Sequence, residues 1–159
     1  MRVGIGHDTH RLVEGRPMVL GGVAIEHARG LEGHSDADVV LHAVADALLG
    51  AAALGDIGDH FPDTDPTWLG VDSARLLQGV IGMVAQAGWR PSQCDLTIHA
   101  QEPKLGPHKA AIRARLAHLL GLDESEVNVK AKTGEHVGPV GRGEAIACDA
   151  VVSIESAEC

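Results

Sequence analysis

Apolar and polar positions along the chain follow two periods, one near two residues and one near four. Arg2 to Leu12 and Met18 to Ile25 are rich in Val, Ile and Leu and predict two strands, with Glu14-Gly15-Arg16-Pro17 as the turn of a hairpin between them. Gly30 to Asp38 reads as a loop. It ends in Ser35-Asp36-Ala37-Asp38, which fits a capping box with Ser35 as N-cap and Asp38 three positions on. A helix over Asp38 to Leu54 follows. Asp38, His42 and Asp46 are spaced by four on it and form one polar stripe on an otherwise Ala, Val and Leu surface.

Gly55 to Pro66 is too dense in Gly, Pro and Asp for regular structure and predicts a long loop, placed where a lid or substrate wall could stand. Asp72 caps a second helix that runs to Ala87 and stops at Gly88. Asp95 to Gln101 reads as a strand, and Pro107 to Leu120 as a helix closed by Gly121, with Lys109, Arg113 and Arg115 on a solvated face. Asn128 to Lys132 and Glu144 to Glu155 are the last strands, the latter alternating through Ile146, Cys148, Ala150, Val152 and Ile154. No repeat or interdomain linker interrupts this order. It predicts one α/β domain over residues 1–159, an α+β sandwich in which helices cover one face of a mixed sheet.

Composition narrows the function. With 159 residues and 45% hydrophobic content the chain can bury a sizeable core without disulfides. A net charge of −9, with only Phe61, Trp68 and Trp89 available for stacking, argues against nucleic acid as a partner. The most apolar run, Val39 to Leu54, is broken by His42 and Asp46, so no membrane span is expected. Cys94, Cys148 and Cys159 show no C-x-x-C spacing, which suggests neither a thiolate metal site nor a disulfide framework and makes the cytoplasm the expected location.

The chemistry-bearing stretch is Gly6-His7-Asp8-Thr9-His10. On a strand, Asp8 and His10 leave the same face, and a helix packed over the strand end could add His42. One carboxylate and two imidazoles with a coordination position to spare form the donor set of a catalytic zinc, since structural zinc sites usually close all four positions and favour cysteine. The bland alternative is a surface Asp/His pair beside a hydrogen-bonded core histidine. The stripe on the helix likewise reads either as a solvated face or as Asp38 and Asp46 acting as hydrogen-bond acceptors for a metal-bound imidazole.

Longer motifs decide between these readings. G-x-D-x-H at Gly6 to His10, HSDADV at His34 to Val39, and LHAVADALLGAAALGDIGDHFPDTDP at Leu41 to Pro66 stand in order with Gln101, Pro103-Lys104, Pro107-His108, NVKAKTGE at Asn128 to Glu135, and GRGEAIAC at Gly141 to Cys148. From Arg2 to about Ile154 the chain resembles the 2-C-methyl-D-erythritol 2,4-cyclodiphosphate synthase family of the non-mevalonate isoprenoid pathway.

The resemblance implies a lyase that cyclises 4-diphosphocytidyl-2-C-methyl-D-erythritol 2-phosphate and releases CMP. It implies one Zn²⁺ per chain on Asp8, His10 and His42, and Mg²⁺ or Mn²⁺ bound with the substrate through Glu135. His34 and Thr133 would stabilise the transition state, and His34 and Ser35, with the helix start at Ser35 offering N–H groups, would meet the phosphate of the methylerythritol. Asp56, Ile57 and Gly58, with Phe61, Pro62, Asp63, Thr64 and Asp65, would line the methylerythritol pocket. Ala100, Pro103, Lys104, Leu105 and Gly106, together with Ala131, Lys132, Thr133 and Glu135, would hold cytidine and its phosphates.

Pro139 and Arg142 would stand near the threefold axis of a homotrimer whose active sites lie between subunits. Lys132, Leu105, Gly106 and Pro139 depart from the family's commonest residues, and Pro139 puts an isoprenoid ligand at that axis in doubt. A scaffold that had kept the fold would be expected to lose part of the set Asp8, His10, His42, Lys104, Thr133 and Glu135, and all six are present. A zinc hydrolase would need a free base at the metal, for which Asp46 is the one candidate.

Overall fold

A computed structural model describes residues 1–157. Strands β1 (Arg2–Glu14), β4 (Arg29–Leu31), β5 (Trp89–His99), β6 (Val127–Lys132) and β7 (Ala145–Ser156) form one five-stranded sheet in the order β4-β1-β7-β5-β6. The sheet is mixed: β5 and β6 are parallel, and β1 pairs antiparallel with both β7 and β4. Helices α1 (Val39–Ala52), α3 (Ser73–Gln86) and α4 (Lys109–Leu120) supply the second layer, α1 across β1 and β7, α3 against α1 and β5, and α4 against β6.

The alternation in β7 produces this layering. Ile146, Cys148, Ala150, Val152 and Ile154 are all buried beneath the helices, while Val151 points away from them. Its neighbours on the outer face of β1, Val3 and Ile5, are 61% and 73% exposed. Gly4 and Gly6 let α1 come close to the sheet, because a Cβ at either position would lie about 2 Å from a backbone carbonyl of the helix, that of Ala47 at 2.0 Å or Ala43 at 1.9 Å. The contact sets His42 directly over Asp8 and His10.

Five expected elements differ, two of them in their bounds: β5 runs from Trp89 to His99 where Asp95 to Gln101 was expected, and Gly30 and Leu31 belong to β4 and not to the loop. β1 does not form a hairpin with Met18 to Ile25. That segment breaks at Gly21-Gly22, where φ is +62° and +73°, into β2 (Met18–Leu20) and β3 (Val23–Ile25), which pair with each other. Gly-Gly is itself a hairpin signal. The Gly55 to Pro66 segment contains a helical turn, α2 (Ile57–His60), closed by reciprocal side-chain caps between Asp56 and Asp59.

The N-cap of α1 is Asp38, not Ser35, so the helix starts beyond the Ser35 loop and Ser35 does not stand at a helix N-terminus that could offer N–H groups to an anion. Asp38 has no exposure, and its carboxylate accepts the backbone N–H groups of Gly21, Gly22, Val40 and Leu41 at 2.7 to 3.1 Å. Burial pushes that carboxyl up to about 6 against the pull of these amides. One side chain thus caps α1 and pins the β2–β3 turn. Asp72 and Gly121 close α3 and α4 as expected. Cys94 and Cys148 are buried free thiols, and Cys159 lies outside the described residues. No helix among the described residues is long and apolar enough to cross a membrane.

Candidate active site

Asp8 and His10 project from β1 toward α1, and His42 projects from α1 to meet them. Asp8 Oδ2 lies 2.9 Å from His10 Nε2 and 3.0 Å from His42 Nδ1, and those two nitrogens are 3.3 Å apart. Among the described residues these are the one group of three or more His, Cys, Asp or Glu whose ligand atoms all fall within 4.8 Å of one another. Each imidazole is held from behind. His10 Nδ1–H donates to the Glu32 carbonyl at 2.7 Å, and His42 Nε2 faces Ser73 Oγ at 2.9 Å and Ser35 Oγ at 3.2 Å.

Burial disfavours the Asp8 carboxylate, but hydrogen bonds and charge from His10 and His42 outweigh it and hold the carboxyl well below the usual range. Burial likewise opposes a charged His10, and contact with Asp8 reverses the balance and raises it. A preset anion facing two half-buried imidazoles, with both outer nitrogens engaged, is a site able to hold a divalent metal.

The expected acceptors for His42 are not the ones used. Asp38 is spent on four backbone amides, and Asp46 accepts the Ile57 N–H at 2.7 Å, tying α2 to α1, with its carboxyl raised by burial. Ser73 and Ser35 take their place. Ser73 escaped the sequence reading because it sits 31 positions from His42, with nothing in the local spacing to join them.

The metal-ligand triad floors a cavity of about 280 Å³ whose walls include His34, Ser35, Ile57, Phe61, Asp63, Trp68 and Leu76. Phe61 and Trp68 meet edge to face at 5.0 Å, and His34 Nε2–H donates to the Asp65 carbonyl at 3.1 Å. Ile57, Phe61 and Asp63 line this cavity, whereas Asp56, Gly58, Pro62, Thr64 and Asp65 belong to the same segment without lining it. Trp68 and Leu76 are lining residues that the sequence reading did not single out.

A second cavity, about 370 Å³, opens at the carboxyl ends of the parallel strands β5 and β6. Ala100, Pro103, Lys104, Leu105 and Gly106 form one wall and Ala131, Lys132 and Thr133 the other, with Lys109 added. The expected nucleotide-contacting residues thus come together, except Glu135. That residue stands beside the cavity with φ of +50°, and its carboxylate accepts the Thr133 hydroxyl at 3.2 Å. Pro139, in the short α5 (Gly138–Gly141), and Arg142 line neither cavity. Arg142 is paired with Glu144 at 2.8 and 3.3 Å.

Comparison with known proteins gives concordant matches. The model of the YgbB family matches residues 1–155. A 2-C-methyl-D-erythritol 2,4-cyclodiphosphate synthase from Symbiobacterium thermophilum is 57% identical over 97% of this chain and 98% of its own. A CDP-bound structure of a synthase of the same name superposes with a TM-score of 0.90 at 40% identity, covering 97% of this chain and all of the other. A bifunctional IspDF from Campylobacter jejuni matches with a TM-score of 0.94 at 42% identity, over 98% of this chain but 42% of that longer one.

Proposed function

The chain belongs to the YgbB family and is a cyclodiphosphate synthase of isoprenoid precursor biosynthesis, and from that premise we propose how its two cavities serve the reaction. The substrate, 4-diphosphocytidyl-2-C-methyl-D-erythritol 2-phosphate, is cyclised when its 2-phosphate oxygen bonds to the β-phosphorus and the bond to CMP breaks. The nucleophile is already ionised, so no activated Ser or Cys is required. The protein must instead fold a flexible chain with two anionic groups, a phosphate and a diphosphate, back on itself and neutralise charge.

The observation that carries the metal assignment is the convergence of Asp8, His10 and His42 on one point beside a cavity large enough for a phosphorylated tetrol. One carboxylate and two imidazoles fit Zn²⁺, one per chain, and Glu135 is the single protein ligand for Mg²⁺ or Mn²⁺ arriving with the substrate. When bound, these ions act as Lewis acids on phosphoryl oxygens.

The chain's own groups do the rest. Phe61 and Trp68 wall the cavity against water, and Asp63 accepts hydrogen bonds from substrate hydroxyls. Ser35, an expected contact of the methylerythritol phosphate, lines the same cavity as His34. His34 and Thr133 hydrogen-bond the phosphoryl oxygens as charge shifts in the transition state. Lys104 and Lys132 pair with the diphosphate while Ala100, Pro103, Leu105, Gly106 and Ala131 enclose the cytidine. Asp56, Ile57 and Gly58 shape the rim through α2, together with Pro62, Thr64 and Asp65.

Within one chain the metal-ligand cavity and the nucleotide cavity are separate, with no lining residue in common. We therefore place the active site between subunits of a homotrimer, with the nucleotide cavity of one chain facing the metal of its neighbour. The exposed apolar sheet face at Val3, Ile5 and Val151 supports burial by other copies. In this reading residues 1–159 form a single catalytic domain, built on one continuous core, that works in the cytoplasm with Pro139 and Arg142 near the threefold axis.

Glu135→Ala tests the second ion. Because magnesium commonly takes only one or two protein carboxylates, the Mg²⁺ concentration for half-maximal rate should rise at least about tenfold while zinc content stays at one per chain. An unchanged Mg²⁺ titration would remove Glu135 from that role.

A further inference from the structure

The His42 ring is fixed at both nitrogens, and the partners at Nε2 determine which nitrogen carries the proton. Nδ1 points at Asp8 Oδ2, 3.0 Å away, and Nε2 faces Ser73 Oγ at 2.9 Å. Ser73 is buried as the first residue of α3. Its hydroxyl proton is already committed, because Oγ donates to Asp36 Oδ1. The Asp36 carboxylate is in turn held in place by the backbone N–H groups of Ser73 and Asp38, both at 3.1 Å. An ionised carboxylate only accepts, so Ser73 Oγ has only lone pairs left to offer His42.

Nε2–H must therefore donate to Ser73 Oγ, and the Nδ1 proton, which Asp8 Oδ2 accepts, is the one a metal would displace, leaving a neutral ring with its N–H on Nε2 and its lone pair on Nδ1. Ser35 is a weaker second partner, at 3.2 Å from Nε2; its Oγ accepts the Ala37 N–H at 3.1 Å, and its hydroxyl proton has Ser73 Oγ, 3.3 Å away, as an acceptor. His10 reaches the opposite arrangement by the same logic. Its Nδ1–H goes to the Glu32 carbonyl, so Nε2 is the nitrogen that faces Asp8.

We propose that Ser73, oriented by Asp36, is a positioning residue that holds His42 in the tautomer able to offer Nδ1 to a metal. The inference rests on the reading of His42 as a zinc ligand. It assigns a function to a contact between α3 and α1 that would otherwise be mere packing, since residues that hold a ligand's outer nitrogen commonly change metal affinity by ten- to a hundredfold.

The test uses the full chain loaded with zinc. Long-range ¹H–¹⁵N correlations of the wild-type protein should show the His42 proton on Nε2 and none on Nδ1; a proton on Nδ1 overturns the proposal without any variant. Ser73→Ala should raise the zinc dissociation constant, read by competition with a chromophoric chelator, by about ten- to a hundredfold, and Ser73→Thr, which keeps the hydroxyl, should restore most of it. A folded Ser73→Ala protein with wild-type zinc affinity overturns the proposal while leaving the metal reading intact. Wild-type protein that takes up no zinc overturns both.

Discussion

Replacing His42 with alanine is expected to abolish zinc retention and to lower turnover by at least about a thousandfold, because the several kilocalories of charge stabilisation a metal supplies correspond to that factor. The expectation follows from the geometry at Asp8. Its carboxylate is anchored by two imidazoles, and removing one leaves two donors for an ion that takes four ligands. Folding should survive, since His42 is only partly buried on a helix whose remaining inner positions are Ala, Val and Leu. Zinc per chain by elemental analysis, circular dichroism and turnover together check the prediction. A folded, zinc-free His42→Ala protein with full activity would remove the metal from the mechanism.

Gly6→Ala should be equally damaging by a different route. Its Cβ would lie 1.9 Å from the Ala43 carbonyl oxygen and 2.7 Å from the Ala47 nitrogen, both backbone atoms that cannot swing aside. Helix α1 must lift from β1, at a cost of about 3 kcal/mol or more and a fall in melting temperature on the order of 10 °C. The same displacement carries His42 away from Asp8 and His10, so zinc affinity should fall with stability. Gly82, in α3 with open space beside it, is the control, and alanine there should change stability by about 1 kcal/mol or less. If Gly6→Ala melts with the wild type and keeps its zinc, the close approach of α1 is not what builds the site.

These two positions also show why the site was readable before the fold was known. Asp8 and His10 share a face because strands have a period of two, and a helix that must cover an apolar sheet brings His42 down onto that face. Periodicity also placed α1, α3, α4 and the alternation of β7. It could not reveal contacts that depend on distant loops. Asp38 fits the helical stripe with His42 and Asp46, yet its carboxylate turns toward Gly21 and Gly22, a choice made by a turn seventeen residues upstream. Ser73 reaches His42 only because α3 docks against α1.

Other differences are local. Gly21-Gly22 carried a legible hairpin signal within an otherwise apolar run, and the run outweighed it. The turn at Ile57–His60 was hidden by Gly58 and by aspartates that suit loops, although Asp56 and Asp59 have the three-residue spacing of reciprocal caps. The residues expected to contact cytidine gather into one cavity, apart from Glu135, because β5 and β6 are parallel and end together, a register that segments so far apart in the sequence do not announce.

The central claim is that the substrate's own phosphate, and not water, attacks the β-phosphorus at a metal held by Asp8, His10 and His42. A ³¹P NMR time course of the zinc-loaded protein with the cytidyl substrate and Mg²⁺ tests it most directly. The account predicts CMP and a cyclic diphosphate appearing together at equal rates, with no reaction once zinc is removed. CMP accompanied by a linear bisphosphate would make water the nucleophile and the protein a zinc hydrolase, contradicting the account.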